Sequence, residues 1–210
     1  MVIKRGDGRQ ALIEATAGVL IRGEDVQIKS IAETVGVSHT LIYRHFPEGG
    51  KEEMVAEAYA HIFQGLAKSD IDQLFDVLET PTSMRESVRD FMITILNPDR
   101  SEVRWARLEA LAHTRTNPFV AERIEGARQA LVEAFAIRLR YLASELDEKT
   151  AEGISLIAQA LPLGITAICG PTMSVEQRET VASLWSEAIV FLLENAQAQS
   201  RKTGNADDSQ

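Results

Sequence analysis

A run of polar side chains between Ser38 and His45 is the part of this chain best suited to contact a nucleic acid. Hydroxyl, imidazole and guanidinium groups form hydrogen bonds with phosphate oxygens and with the edges of bases. The segment reads SHTLIYRH, and its polar members are Ser38, His39, Thr40, Tyr43, Arg44 and His45. We therefore predict a short DNA-contacting helix here, with Ser38 at its N-cap position.

Two apolar patterns that meet at Gly36 predict how this helix is held. Ile31, Ala32 and Val35 lie at helical spacing before the glycine, and the apolar residues after it are Val37, Leu41, Ile42 and Phe46. A glycine here supplies the left-handed backbone that ends one helix and turns the chain into the next. The pattern predicts a helix-turn-helix over about residues 28–35 and 38–45, preceded by a helix over about residues 9–22.

The net charge of −9 is distributed unevenly along the chain. Residues 1–50 carry six Lys or Arg and six Asp or Glu, so the whole excess of acid lies from residue 51 onward. A neutral N-terminal module on an acidic body permits DNA binding at one end, because phosphate repels the body. Lys4, Arg5 and Arg9 form a basic arm, which is either a solvated terminus or a contact to phosphate or the minor groove.

Cysteine and histidine usage exclude two common classes of site. The single cysteine, Cys169, excludes an internal disulfide, and the four histidines are not spaced as metal ligands. The N-terminus lacks a secretory signal, and there is no run of about 18 apolar residues. We expect a cytoplasmic protein with no metal, no cofactor and no membrane partner.

The remainder of the chain shows only helical periodicity, which predicts an all-α protein. Helix boundaries are expected at Thr80-Pro81, Asn97-Pro98, Asn117-Pro118 and Gly170-Pro171, because the residue before a proline is pushed out of helical geometry. Pro162 predicts a kink within its helix. We divide the chain into a three-helix DNA-binding domain over residues 1–50, a larger helical domain over 51–199, and a disordered tail over 200–210.

The last two predicted helices have more apolar surface than one core contact requires. The segment 148–169 is apolar on two sides, and the segment from Val175 to about Ala196 has one wide apolar side. A helix that is apolar on two sides has two partners. We predict that this pair forms both core and a homodimer interface. The predicted interface residues are Leu156, Ala160, Leu163, Ala167, Leu184, Trp185, Ala188 and Leu192.

The N-terminal third resembles the TetR family of one-component transcriptional regulators. The family pattern has an opening Arg, an apolar helix ending in Gly, an Ile-Ala pair, Gly-Val-Ser, and Tyr-x-His-Phe before a Lys. The matching residues are Arg9, Gly23, Ile31-Ala32, Gly36-Val37-Ser38, Tyr43-Arg44-His45-Phe46 and Lys51. The rest of the chain matches only in kind, as a helical body.

The resemblance implies a homodimer whose N-terminal modules bind successive major grooves of a palindromic double-stranded DNA operator. The helical body would bind a small-molecule effector that releases the DNA and so lifts repression. The base-contacting positions of the family fall on His39, Thr40 and Leu41, with a second contact from Lys29, and the phosphate-contacting positions fall on Tyr43, His45 and Lys51. With Ser38 and Arg44 these form the predicted DNA-binding set.

Three departures from the family pattern affect this assignment. Gln27 stands where a capping Thr is usual, which weakens both the cap and one phosphate contact. Leu41 stands where Thr is common, and an apolar side chain packs on a thymine methyl rather than forming a hydrogen bond. The loop before Lys51 has four residues instead of the usual two or three, which changes the spacing between the Tyr-x-His-Phe motif and Lys51.

An effector pocket should be apolar with a few polar groups, and residues of both kinds lie on the middle helices. The candidates are Phe91, Met92, Trp105, His113, Phe119, Phe135, Gln159, Thr166 and Cys169. The alternative for most of these residues is ordinary core, and His113, four residues after Glu109, would serve equally well on a solvated face. Outside this set, Arg104 and Arg107 suit an anionic ligand, but Glu102 and Glu109 nearby favour a surface ion-pair network.

Other functional classes remain open. A helical-bundle enzyme or small-molecule carrier with an incidental helix-turn-helix is one alternative, and a transcriptional activator is another. An enzyme would require a nucleophile with a paired base, or clustered His and carboxylates, and the sequence contains no such constellation. We therefore predict a ligand-responsive repressor without catalytic activity.

Overall fold

The structure is a computed structural model that describes residues 7–78, 83–170 and 173–207. The described chain consists of helices joined by short connections and contains no strand. The helices are α1 (Asp7–Ile21), α2 (Ile28–Val35), α3 (His39–His45), α4 (Lys51–Leu78), α5 (Met84–Ile95), α6 (Ser101–His113), α7 (Pro118–Leu142), α8 (Glu148–Cys169) and α9 (Val175–Asp207). The predicted all-α class, with a helix-turn-helix followed by a larger helical body, is confirmed.

Side-chain caps explain where several helices begin. The Oδ1 atom of Asn117 accepts hydrogen bonds from the backbone N–H groups of Phe119 and Val120, at 3.0 and 3.2 Å. Asp147 caps α8 in the same way through Thr150, and Ser83 caps α5 through Glu86. These bonds satisfy N–H groups that have no partner within the helix. The predicted boundaries at Thr80-Pro81 and at Pro171 lie outside the described residues.

The described chain divides into two compact units. The first comprises the residues up to Leu66 together with Glu102–Gln129. Its fully buried side chains come from all of its longer segments, and removing them from water is the main stabilising contribution to this unit. They include Leu12, Ile31, Ile42, Phe46, Met54, Ala110 and Val120.

The second unit comprises Ala67–Ser101 and the residues from Ala130 onward. Helices α5 and α9 pack together around buried Met92, Leu96 and Ala182. Elsewhere in this unit the Phe75 and Phe135 rings meet edge to face, with centroids 5.3 Å apart. The Ser155 hydroxyl of α8 donates to the Val132 carbonyl of α7 at 3.2 Å, which pairs these two helices.

The grouping by contacts differs from the boundary predicted at residue 50. Helices α4 and α7 each begin in the first unit and end in the second, because their residues pack in different surroundings along their length. The functional boundary between residues 50 and 51 therefore stays a prediction. Pro162 lies inside α8 and is buried, and the predicted kink there also stays a prediction.

The end of the last helix also differs from expectation. A disordered tail is predicted from residue 200, but α9 continues as helix to Asp207. Extending an existing helix costs little, because each added residue forms a backbone hydrogen bond without a new nucleation step. The stretch 200–207 reads SRKTGNAD, in which only Arg201, Lys202 and Ala206 are good helix formers, so continuation of α9 rather than local propensity accounts for the helix. Residues 208–210 lie outside the description.

Candidate nucleic-acid interface

The turn between α2 and α3 has the geometry that the sequence predicts. Gly36 adopts φ 76° and ψ 32°, the left-handed conformation that costs a side-chain-bearing residue more than it costs glycine. The N–H of Val37 then bonds back to the Ala32 carbonyl at 2.9 Å, which closes the end of α2. Ile31, Ala32 and Ile42 are buried around this turn, so the angle between the two helices is held by packing.

Helix α3 presents its polar side chains outward. His39, Thr40, Tyr43 and Arg44 are exposed, whereas Ile42 is completely buried. Leu41 is half-buried, and Ser38 and Lys29 are exposed at the flanks. The helix therefore has one face committed to the core and another whose hydrogen-bonding groups are available to a partner.

Ser38 occupies the predicted N-cap position but does not cap with its side chain. Its Oγ lies 2.6 Å from the Thr40 Oγ1 in a hydrogen bond, and it accepts no bond from a backbone N–H of the first turn of α3. The hydroxyl is exposed, so water can satisfy the helix N–H groups while the two side chains bond to each other. The predicted N-cap position of Ser38 is confirmed, and its hydroxyl bonds to the Thr40 hydroxyl rather than to a backbone N–H of α3.

Tyr43 and His45 combine exposure with packing. The Tyr43 side chain is 54% exposed, yet its ring lies against Gly50. The His45 imidazole is half-buried beside Gly8 in the first turn of α1, with Nε2 3.3 Å from the position of a Cβ built on that glycine. Both residues are anchored on the module, so the direction of each ring is set by a neighbour.

The four-residue loop before Lys51 is held by hydrogen bonds that sequence reasoning missed. Glu53 Oε2 accepts from the backbone N–H groups of Glu48 and Gly49, at 3.0 and 3.1 Å, and Glu53 is only 6% exposed. Gly49 also lies against the Phe119 ring. Lys51 is exposed at the first position of α4, after a fixed loop. The signal was a glutamate in the first turn of a helix, which commonly binds the N–H groups preceding it.

Arg9 does not extend freely from the N-terminus. Its Nη2 bonds to Glu57 Oε1 at 2.8 Å, and its guanidinium lies over the Phe46 ring, 5.1 Å from the centroid. Arg123 Nε bonds to the same Glu57 oxygen at 3.0 Å. Burial lowers the pKa of Arg123, but the Glu57 bond and the charges of Glu57 and Glu122 outweigh it, so this pKa is raised. Lys4 and Arg5 of the predicted arm lie outside the described residues.

The nine predicted effector-pocket residues fall in both units and in different environments. Met92, Phe135 and Thr166 are buried, and the Thr166 hydroxyl donates to the Pro162 carbonyl at 2.8 Å. Cys169 and His113 are exposed, and the His113 ring lies 5.6 Å from that of Tyr59. Phe91, Phe119 and Gln159 are half-buried, and Trp105 is exposed. Phe119 packs on the loop at Gly49, and Gln159 donates to Ser155, so both have structural contacts.

The predicted interface residues divide into exposed and packed members. Leu156 and Leu184 are 44% and 63% exposed, and Ala160, Ala167 and Ala188 are also exposed. Leu163 is buried, and Trp185 packs against the cluster of Met92, Leu96 and Ala182. Leu192 is half-buried. An open depression of about 560 Å³ on this surface is lined by Arg85, Leu184, Glu187, Ala188, Val190, Phe191 and Glu194, none of them a predicted pocket residue.

Within the described residues, no three His, Cys, Asp or Glu side chains come together as metal ligands would. By length and composition alone, one described helix, α8, is long and apolar enough to cross a membrane, with a mean hydropathy of 1.5 in its most apolar window. A helix that packs on two sides in a helical bundle has the same composition.

Comparisons with known proteins agree with this geometry. The family model for bacterial regulatory proteins of the tetR family matches residues 12–58, which span α1, the helix-turn-helix and the start of α4. None of the curated proteins compared with the chain matches it.

Solved structures resemble the chain over nearly its whole length. A protein of Pseudomonas aeruginosa PAO1 assigned as a transcriptional regulator is 21% identical, with 94% of this chain and 95% of that chain covered and a TM-score of 0.59. Salmonella enterica GusR is 16% identical, with 92% and 98% covered and a TM-score of 0.63. The TetR family repressor AlkX from Dietzia sp. strain DQ12-45-1b is 17% identical, with 89% and 97% covered and a TM-score of 0.59. Residues 12–58 therefore match the tetR family of bacterial regulatory proteins, as the N-terminal motif predicts.

Proposed function

We propose that this regulator is a cytoplasmic repressor that binds a palindromic operator as a homodimer and is released by a small-molecule effector. The observation that carries the DNA-binding part is the outward polar face of α3, where His39, Thr40, Tyr43 and Arg44 are exposed on a buried scaffold. His39 and Thr40 would contact bases, and Leu41 would pack on a thymine methyl. Lys29, Tyr43, His45 and Lys51 would position the module on phosphates.

The homodimer is supported by apolar surface on the last two helices. Leu156, Ile157 and Ile168 on α8 and Leu184 and Phe191 on α9 are each between 44% and 86% exposed. Exposed apolar side chains recurring along two helices are typical of a partner-binding surface. A two-fold dimer would bury the same patch on both copies and carry two α3 helices to the two halves of a palindrome.

Release by an effector requires only that the ligand bind the DNA-incompetent arrangement more tightly. A shift of about 100-fold in the balance corresponds to about 2.7 kcal/mol of differential affinity. The effector site is proposed to lie in the helical body, and no catalytic step is proposed for the chain.

Selection of bound sequences from a random duplex library tests the DNA-binding proposal. We expect a palindrome whose half-sites are spaced by about one helical turn, and an affinity that falls steeply as salt rises. The double variant His39→Ala/Thr40→Ala should lose at least about tenfold in affinity for the selected site. The double variant His61→Ala/Thr116→Ala, which removes the same two exposed residue types elsewhere, should bind as the wild type does.

Two results would overturn the proposal. If the protein binds all DNA sequences equally, it has no specific operator. If His39→Ala/Thr40→Ala binds the selected site with full affinity, α3 does not read the base sequence. Native mass spectrometry of the purified protein shows whether a small molecule is bound to it. A molecule that copurifies, and whose removal strengthens operator binding, supports release by ligand, whereas a copurified molecule whose removal leaves binding unchanged contradicts it.

A further inference from the structure

A single carboxylate oxygen joins three helices of the first unit. Glu57 Oε1 on α4 accepts from Arg9 Nη2 on α1 at 2.8 Å and from Arg123 Nε on α7 at 3.0 Å. The Glu57 side chain is only 19% exposed, so solvent screens these ion pairs less than it screens pairs on an open surface. An oxygen shared by two guanidinium groups makes the position of each arginine depend on the other.

The contacts continue from Arg9 to α3, which is the recognition helix of the proposed function. The Arg9 guanidinium lies over the Phe46 ring, 5.1 Å from its centroid. Phe46 is buried and directly follows α3, and its N–H bonds to the Ile42 carbonyl at 2.8 Å. Arg123 on α7 is thus connected to the C-terminal end of α3 through Glu57, Arg9 and Phe46.

A second set of contacts reaches α3 from the start of α7. The Phe119 ring packs so closely on Gly49 that a Cβ at Gly49 would lie 2.8 Å from the Phe119 Cε2. The adjoining Gly50 lies against the Tyr43 ring, and Glu53 binds the N–H groups of Glu48 and Gly49. The first two turns of α7 therefore touch both the loop after α3 and the carboxylate that orients Arg9.

We propose that the first two turns of α7, through Phe119 and Arg123, set the position of the recognition helix and so regulate operator affinity. Helix α7 is continuous to Leu142, so a shift of the helix carries Arg123 and Phe119 with it. If Glu57 follows Arg123, the Arg9 guanidinium over Phe46 moves with it; if Glu57 loses the Arg123 bond, the carboxylate that binds Arg9 loses one of the two groups that hold it in place. This inference rests on the proposed function, in which α3 is the DNA-reading element. Arg123 acts as a positioning residue and has no contact with DNA.

The test compares Arg123→Gln with Arg128→Gln. Arg128 lies on the same helix and pairs with Glu125 of its own helix at 2.7 Å, so its removal changes the charge of α7 equally without touching α1 or α4. The first measurement is backbone hydrogen exchange over residues 39–50 in the full-length protein. We expect about fivefold faster exchange there in Arg123→Gln and no change in Arg128→Gln.

The second measurement is affinity for the operator identified by selection. Arg123→Gln should bind roughly fivefold more weakly, with an unchanged salt dependence because no phosphate contact is lost. Arg123→Lys should restore part of both effects, since it keeps the charge and loses the planar geometry. Arg9→Gln combined with Arg123→Gln should cost less than the two single changes added together, because both act through one oxygen.

The outcomes separate this inference from the proposed function. If the wild type selects no operator, the proposed function fails, and hydrogen exchange still decides whether α7 holds the 39–50 segment. Suppose that the wild type binds its operator but Arg123→Gln and Arg128→Gln have the same hydrogen exchange over residues 39–50 and the same operator affinity. The proposal that α7 sets the position of α3 is then wrong. Should Arg123→Gln fail to fold, Arg123→Lys and Phe119→Leu are compared with Arg128→Gln on the same readouts and decide in the same way.

Discussion

Tyr43 rests directly on Gly50, and the contact leaves no room for a side chain at the glycine. A Cβ at Gly50 would lie 2.9 Å from Tyr43 Cε1 and 3.0 Å from Cδ1, and the Gly50 φ angle is +56°. Two separate requirements therefore fall on one residue: a left-handed backbone and a close approach of an aromatic ring. The direction of the exposed Tyr43 ring depends on this glycine.

Gly50→Ala should destabilise the protein and weaken DNA binding together. The strained backbone and the displaced ring should cost about 1–2 kcal/mol in the free energy of unfolding. Denaturant unfolding gives this cost, and operator affinity measures the effect of moving Tyr43. Gly65→Ala is the control, because Gly65 lies within α4 and nothing is within 4 Å of its added Cβ. An alanine there should be neutral or slightly stabilising. Equal stability of Gly50→Ala and wild type would contradict the contact.

Phe191→Glu should convert the proposed dimer to monomer. Phe191 is 63% exposed on α9 beside Leu184. Burial of a carboxylate at this position in a dimer costs desolvation, and the nearby Glu187 and Glu194 repel it while Arg85 offsets only part of that cost. Analytical ultracentrifugation should show the loss of dimer, and the variant should also bind a palindromic operator much more weakly.

The matched control for the interface is Ile137→Glu on α7. Ile137 is 60% exposed, so the substitution places the same charge on an equally open apolar position outside α8 and α9. We expect this variant to remain dimeric. A monomeric Ile137→Glu together with a dimeric Phe191→Glu would place the interface on a different helix.

Ionisation of Tyr59 should lower the free energy of unfolding at alkaline pH. Burial, with a smaller contribution from the charge of Glu109, raises the pKa of Tyr59 to about 12. An unfolded tyrosine ionises near ~10, so between these values the unfolded chain binds fewer protons than the folded one, and stability falls as pH rises. The contribution is fully present below about pH 10, and about 1 kcal/mol of it should be lost by about pH 11.

The measurement is the free energy of unfolding between about pH 8 and pH 11, compared for wild type, Tyr59→Phe and Tyr141→Phe. Tyr59→Phe should match the wild type at neutral pH and lose less stability as pH rises. Tyr141→Phe removes a hydroxyl that is 79% exposed and controls for general alkaline effects. Parallel curves for wild type and Tyr59→Phe would show that Tyr59 titrates alike in both states.

The helix-turn-helix is where prediction from sequence and structure agree most closely. The left-handed turn at Gly36, the burial of Ile31 and Ile42, and the exposure of His39 and Thr40 all follow from local spacing. Helical periodicity acts over three or four residues and a glycine turn over one, so this information lies within a short segment. The DNA contacts themselves stay a prediction.

The body was less predictable because its helices are apolar on more than one side. Periodicity indicates that α8 has two partners, but it does not decide which face meets the core. Leu163, predicted at the interface, is buried in the second unit, whereas Ile157, which is not among the predicted interface residues, is 47% exposed. Cys169, a predicted pocket residue, is exposed as well.

By itself the sequence determined an all-α fold and an N-terminal helix-turn-helix of the tetR type, with α3 and the turn that precedes it. The tertiary structure alone decided how that helix is supported. Glu57 bonds to Arg9 and Arg123, which lie 48 and 66 residues away along the chain, and Gly49 meets Phe119. Contacts over such separations leave no periodic trace in the sequence, because they depend on how whole helices pack rather than on the spacing within any one of them.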